Sequence, residues 1–174
     1  MERVRRFCNT INRENGAEAW RSTAELDEWL AREGYRMRPT STADLRRVNV
    51  VRNAIWESLC TGTREPIARA VQQVLLRCEA TELKLRLGPT GDTVETVVAD
   101  LVLRICDADR SGRLGRLKSC HHCRWVFYDA SKNRTGRWCS MQACGGREKA
   151  RAYRRRKSGC DVESTGTTDE EPVR

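Results

Sequence analysis

Between residues 22 and 34 the chain reads STAELDEWLAREG, with Leu26, Trp29 and Leu30 at the three- and four-residue spacing of a single helical face. Ser22 and Glu25 stand at capping-box distance ahead of that face and Gly34 follows it, so the pattern predicts a short amphipathic helix with both ends marked. After Pro39 the same logic repeats over a longer stretch. Ser41 or Thr42 is the predicted cap, Leu45, Val48, Ile55 and Leu59 the buried stripe, and Gly62 the stop. A third helix fits EPIARAVQQVLLRCEA, with Pro66 in its first turn and Ile67, Val71, Val74, Leu75 and Cys78 facing inward. The period then changes. Leu83, Leu85 and Leu87 alternate and run into Gly-Pro-Thr-Gly-Asp, which predicts a small β-hairpin within ELKLRLGPTGDTVETV, before VVADLVLRICDAD returns to a helical pattern. Trp29, Trp56, Cys60, Cys78 and Cys106 fall on these apolar faces and are expected in the core, as is Cys8.

At about residue 110 the apolar pattern gives way to DADRSGRLGR, a predicted linker. Three segments follow from it: a helical domain over residues 1–109, a small module over 110–157 and a disordered acidic tail over 158–174. Charge separates them further. Residues 1–109 hold 17 Lys and Arg against 17 Asp and Glu, residues 110–157 hold 15 against 2, and residues 158–174 hold 1 against 5. The whole positive excess therefore lies in the middle segment, a density that favours a polyanion, above all nucleic acid. No stretch approaches the roughly 18 apolar residues of a membrane span and the N-terminus lacks the apolar run of a secretory signal. A cytoplasmic protein with no membrane partner is expected.

The same segment holds four of the nine cysteines within 25 residues, CHHCRWVFYDASKNRTGRWCSMQAC, spaced C-x2-C-x15-C-x4-C. In a reducing compartment such pairs point to a metal, and Cys120, Cys123, Cys139 and Cys144 complete a closed tetrahedral thiolate site for one Zn²⁺ per chain. An iron–sulfur cluster uses the same ligands and is the alternative. RLKSC and RWVFYD read as strands entering and leaving a knuckle at Cys120 and Cys123, whose backbone N–H groups can bond to the thiolates. REKARAYRRRK reads as a helix starting just after Cys144. His121 and His122 are expected beside the site, not as ligands. With no paired carboxylates, phosphate loop or nucleophile motif, the sequence supports no enzymatic activity.

RLKSCHHCRWVFYDASKNRTGRWCSMQACGGREKARAYRRRK resembles the CGNR zinc finger family, with its first cysteine pair, W-x-F-x-D-x-S-x-N, W-C-S-M and basic helix. The family's C-G-N-R stands here as Cys144, Gly145, Gly146 and Arg147, so its Asn is replaced by Gly146. FCNTINREN and STAELDEWL are similar to the start of the ABATE domain of stress-induced transcription regulators, which usually precedes this finger. The resemblance implies the same four cysteine ligands and a bacterial DNA-binding transcription regulator, nucleoid-associated when bound. It leaves the N-terminal domain as the sensory or dimerising half, with a homodimer and an unidentified small-molecule effector as its candidate partners.

The expected fold class is therefore α+β: a mainly helical N-terminal domain with a small β-hairpin, plus a C-terminal treble-clef-like or ribbon-like zinc module. Trp125, Phe127 and Trp138 are expected to cover the metal, and Asp129, Ser131 and Asn133 to hold the intervening loop by hydrogen bonds to its backbone. The candidate DNA contacts are Lys132, Arg134 and Arg137 in the loop, with Arg147, Lys149, Arg151, Arg154, Arg155, Arg156 and Lys157 on the helix. Arg147, Arg151 and Arg154 share one helical face suited to a major groove. The rival readings are a zinc-thiolate redox sensor and a protein- or RNA-interaction module without sequence-specific DNA binding.

Overall fold

The computed structural model describes residues 1–75 and 91–160 of the chain. It is mainly helical, with one two-stranded antiparallel sheet among the described residues. The described part divides into two compact units, Met1–Cys139 and one beginning at Ser140.

In the first unit α2, Thr23–Arg32, begins with Ser22 accepting from Glu25 N–H while the Glu25 carboxylate bonds back to Ser22 N–H. The next helix, α3, spans Thr42–Thr61 and repeats this box with Ser41 and Asp44, then ends on Gly62 at φ 73°. The left-handed conformation at Gly62 closes the helix without a Cβ penalty. Helix α4 runs Glu65–Leu75, and α5 runs Val94–Arg110. The latter starts within the stretch read as the end of a hairpin, because Val94, Val97, Val98 and Leu101 make one buried helical face. The predicted hairpin's leucines, Cys78 and residues 161–174 of the predicted acidic tail lie outside the described residues, whereas residues 158–160, also read as tail, end the last helix.

One helix was not anticipated. Helix α1, Glu2–Cys8, has seven residues, too few to be stable alone, yet Val4, Phe7 and Cys8 are fully buried by it. Polar ties from other helices hold it. Arg3 donates to Asp100 at 3.1 Å and to the Glu33 carbonyl at 3.0 Å, and Arg6 pairs with Glu33 at 2.9 Å. Asp100 also accepts from Tyr35 at 2.6 Å and from Arg104 at 2.9 Å, so both of its oxygens are hydrogen-bonded. Burial pushes the Asp100 carboxyl up, but the bonds from Arg104, Tyr35 and Arg3 outweigh it and hold the group below the ordinary carboxylate range.

Phe7, Trp20 and Trp29 form an aromatic cluster with ring centroids 5.0–6.0 Å apart at the centre of the core. Beside it, Arg52 is 2% exposed, with its guanidinium 5.2 Å from the Trp20 ring and bonded to Glu18 at 2.8 Å. A single antiparallel bridge between Ile11 and Glu18 folds the intervening loop back and delivers that carboxylate.

Two cysteines expected in the core are exposed, Cys60 and Cys106. Each stands about 100° or more off the buried stripe of its helix, which runs through Val51, Ile55 and Ser58 on α3 and Leu101, Ile105 and Ala108 on α5. Trp29 and Cys8 are buried, and Trp56 is half-buried. Within the segment read as a linker, residues 111–112 form a turn with Gly112 at φ 64°, and the apolar core continues across it to Leu117 and Val126. No helix among the described residues is long and apolar enough to cross a membrane.

Candidate metal centre

A 3-10 turn at Leu114–Arg116 leads into β1, Leu117–Ser119, which pairs with β2, Val126–Tyr128, in the register Leu117↔Tyr128, Lys118↔Phe127 and Ser119↔Val126. These are the strands that the sequence placed on either side of the first cysteine pair. Between them Cys120 N–H donates to the Trp125 carbonyl at 2.8 Å and Arg124 N–H to the Cys120 carbonyl at 3.0 Å, which closes a tight knuckle. The turn requires Arg124 at φ 63°, a left-handed backbone that costs an L-residue about 1–2 kcal/mol.

The long loop after β2 is drawn back by Asp129. Its carboxylate, 3% exposed, accepts from Lys118 Nζ at 2.8 Å, Gly136 N–H at 2.8 Å and Ser131 N–H at 3.0 Å. Lys118 Nζ continues to the carbonyls of Arg134 and Gly136. The Lys118 ammonium, then the bonds from Ser131 and Gly136, hold the Asp129 carboxyl far below its ordinary range. A Cβ at Gly136 would meet the Asp129 carboxylate at 2.8 Å, so the loop closes there only with glycine. His121 N–H donates to the Arg137 carbonyl at 3.0 Å, which brings the segment containing Cys139 against the knuckle.

Cys144 follows in a wide π-helical turn, Met141–Gly145, capped by Ser140 Oγ accepting from Ala143 N–H at 3.1 Å. Helix α6, Gly146–Cys160, continues from that turn. Gly146 has helical φ and ψ of −62° and −45° and lies inside the helical run, so the cap is Ser140 and the position of the family's Asn is not a capping one here. A Cβ at Gly146 would meet nothing within 4 Å.

The Sγ atoms of Cys120, Cys123, Cys139 and Cys144 all lie within 4.8 Å of one another, and those of Cys123 and Cys139 are 3.6 Å apart. Tetrahedral zinc with Zn–S bonds of about 2.3 Å sets sulfurs about 3.8 Å apart, so the donors fit that ion in number, softness and spacing. Burial pushes the Cys120 thiol up, but the N–H groups of Cys139, Cys123 and His122 and the Cys123 thiol bring it down to about 7. Such N–H groups favour the thiolate that a metal needs. Four protein ligands leave no open coordination position, and the site is structural in kind.

Residues 116–157 match the CGNR zinc finger. The match covers less than half of the chain but takes in the whole cysteine cluster. No curated protein matches the chain. The four cysteines within the matched segment fit one zinc ion.

Around the finger, Trp125, Phe127 and Trp138 are half-buried. His121 is exposed and its Nδ1 lies 3.3 Å from Arg137 Nη2; His122 is half-buried. The candidate nucleic-acid contacts fall in both units. Lys132, Arg134 and Arg137 are exposed on the loop of the first unit, while Arg147, Lys149, Arg151, Arg154, Arg155, Arg156 and Lys157 are exposed along α6 of the second. The sequence singled out neither Lys118 nor Gly136. Their roles depend on the loop returning to one carboxylate, which no local periodicity encodes.

Proposed function

We propose that the chain is a zinc-containing DNA-binding protein that acts as a bacterial transcription regulator, in the cytoplasm and on the nucleoid. The observation that carries this reading is α6. Between residues 147 and 157 it presents seven Lys and Arg, all exposed, against one acidic residue, Glu148. A helix so loaded neither packs well in a protein core nor gains from its own like charges, whereas a phosphate backbone neutralises it and releases counterions. Arg147, Arg151 and Arg154 lie on one face suited to base edges, and Lys149, Arg155, Arg156 and Lys157 are placed to reach phosphates. The reading gives residues 1–109 a sensory or dimerising role similar to that of an ABATE domain, and no catalytic one.

Titration of the full chain against duplex DNA at several salt concentrations tests it. With five to seven phosphates neutralised, log K should fall against log salt with a slope of about −4.5 to −6. Arg155→Ala or Lys157→Ala should flatten that slope by about one and weaken all sequences alike. Arg147→Ala, Arg151→Ala or Arg154→Ala should cost about 1–3 kcal/mol on a selected site and much less on scrambled DNA. Absence of salt-dependent binding to any duplex would leave the field to the protein-interaction, RNA and redox readings.

A further inference from the structure

The knuckle that presents Cys120 and Cys123 is gripped from outside the finger. The Asn9 carboxamide lies against Val126 as a strand neighbour would, donating from Nδ2 to the Val126 carbonyl at 2.7 Å and accepting Val126 N–H at Oδ1 at 2.8 Å. Two residues earlier the Trp56 indole N–H donates to the Arg124 carbonyl at 3.0 Å. Trp56 is itself fixed by the Arg13 guanidinium, 4.1 Å from its ring, and Arg13 in turn bonds Asn53 at 2.9 Å. The peptide unit between these two grips, at Trp125, accepts Cys120 N–H at 2.8 Å. Three successive carbonyls are therefore spoken for: 124 by α3, 125 by the first ligand, 126 by the residue that ends α1.

We infer that Asn9 and Trp56 are positioning residues for the metal. A thiolate pair on a two-residue spacing binds zinc well only when the knuckle backbone already has its bound shape, and here that shape includes a left-handed non-glycine residue, Arg124. Trp56 restrains the strained residue's own carbonyl, and Asn9 restrains the strand into which it leads. The two side chains lower the cost of ordering the ligands without touching them, as outer-shell partners of metal ligands do. Because binding linkage is reciprocal, zinc in turn tightens the attachment of α1 and α3 to the finger.

Zinc competition between the full chain and a chromophoric chelator, with Co²⁺ substitution to report tetrahedral thiolate geometry, tests the inference. Asn9→Ala and Trp56→Phe should each weaken zinc binding about tenfold and broaden the cobalt bands, with a larger loss when combined. Leu30→Ala, which removes a buried side chain of α2 without touching the knuckle, should lower the melting temperature but leave zinc affinity unchanged. If Asn9→Ala and Trp56→Phe lower the melting temperature and change zinc affinity no more than Leu30→Ala does, the two residues merely hold the fold and the inference fails. Should Asn9→Ala not fold, Trp56→Phe, which keeps an aromatic ring and removes the N–H, decides alone: unchanged zinc affinity overturns the inference.

Discussion

The first compact unit buries Phe7, Trp20, Leu26, Leu30, Ile55 and Leu101 almost completely, whereas the described part of the second buries only Cys144 and Gly145. One is held by apolar burial reinforced with internal polar networks. The other is a capped turn and a 15-residue helix of very high positive charge, with no apolar core among its described residues. A helix of that length is marginal in water, and a run such as Arg154, Arg155, Arg156 and Lys157 adds repulsion. One chain thus uses two sources of order: transfer of side chains from water in the first unit, and thiolate–metal bonds where the second begins.

Removal of the metal is expected to have the largest effect. Structural zinc contributes about 10–16 kcal/mol of apparent binding free energy in small thiolate modules. Chelation, or Cys144→Ser, is therefore expected to abolish stoichiometric zinc, measured by elemental analysis, and to reduce far-ultraviolet ellipticity by the share of α6 while most of the helical signal persists. A protein whose α6 signal survives zinc removal would contradict the contrast.

The next largest effect concerns where the first unit ends. A fragment over residues 1–109 lacks Leu117 and Val126, each worth about 1.5–3 kcal/mol by burial, and leaves Asn9 without its partner. It is expected to remain helical but to unfold at lower urea than a fragment over residues 1–139. Coincident midpoints would place the boundary back at the linker.

Acid should separate the two sources of order in sequence. Burial raises the carboxyls of Asp44 and Asp100, but bonds from Ser41 in one case and from Arg104, Tyr35 and Arg3 in the other leave both below their ordinary values. A folded-state pKa lowered in this way gives stability that is present above the unfolded value of about 3.9 and is lost as pH falls through the folded one. Unfolding of the first unit's helices is thus expected only below about pH 4, whereas protons compete with zinc for thiolates earlier in the descent and the α6 signal should fall with the metal. Parallel monitoring of zinc release and ellipticity checks the order. The smallest effect is expected at Gly146: its open position and helical dihedrals predict that Gly146→Ala raises the stability of the second unit by up to about 1 kcal/mol, seen as a higher α6 melting temperature.

Local signals carried much of this from the sequence. Ser22 with Glu25, Gly62, and the stripe Leu26, Trp29 and Leu30 each act within a few residues, and the helices follow them. The cysteine spacing likewise named all four members of the cluster, because tetrahedral thiolate coordination imposes short pairs joined by a loop. Tertiary structure decided the rest. The seven-residue α1 is held by partners distant in sequence, Asp100 and Glu33 on Arg3 and Arg6 and the core that buries Val4, Phe7 and Cys8. The buried Arg52 bonds to a carboxylate, Glu18, that the Ile11–Glu18 bridge brings to it from 34 residues away. Cys60 and Cys106 look apolar enough for a core, yet the packing phase of α3 and α5 turns them out. Asn9 and Trp56 carry no motif of their own for metal binding. Their grip on Val126 and Arg124 depends on backbone carbonyls and an N–H, which every residue but proline possesses and no sequence pattern can mark until the chain has folded around them.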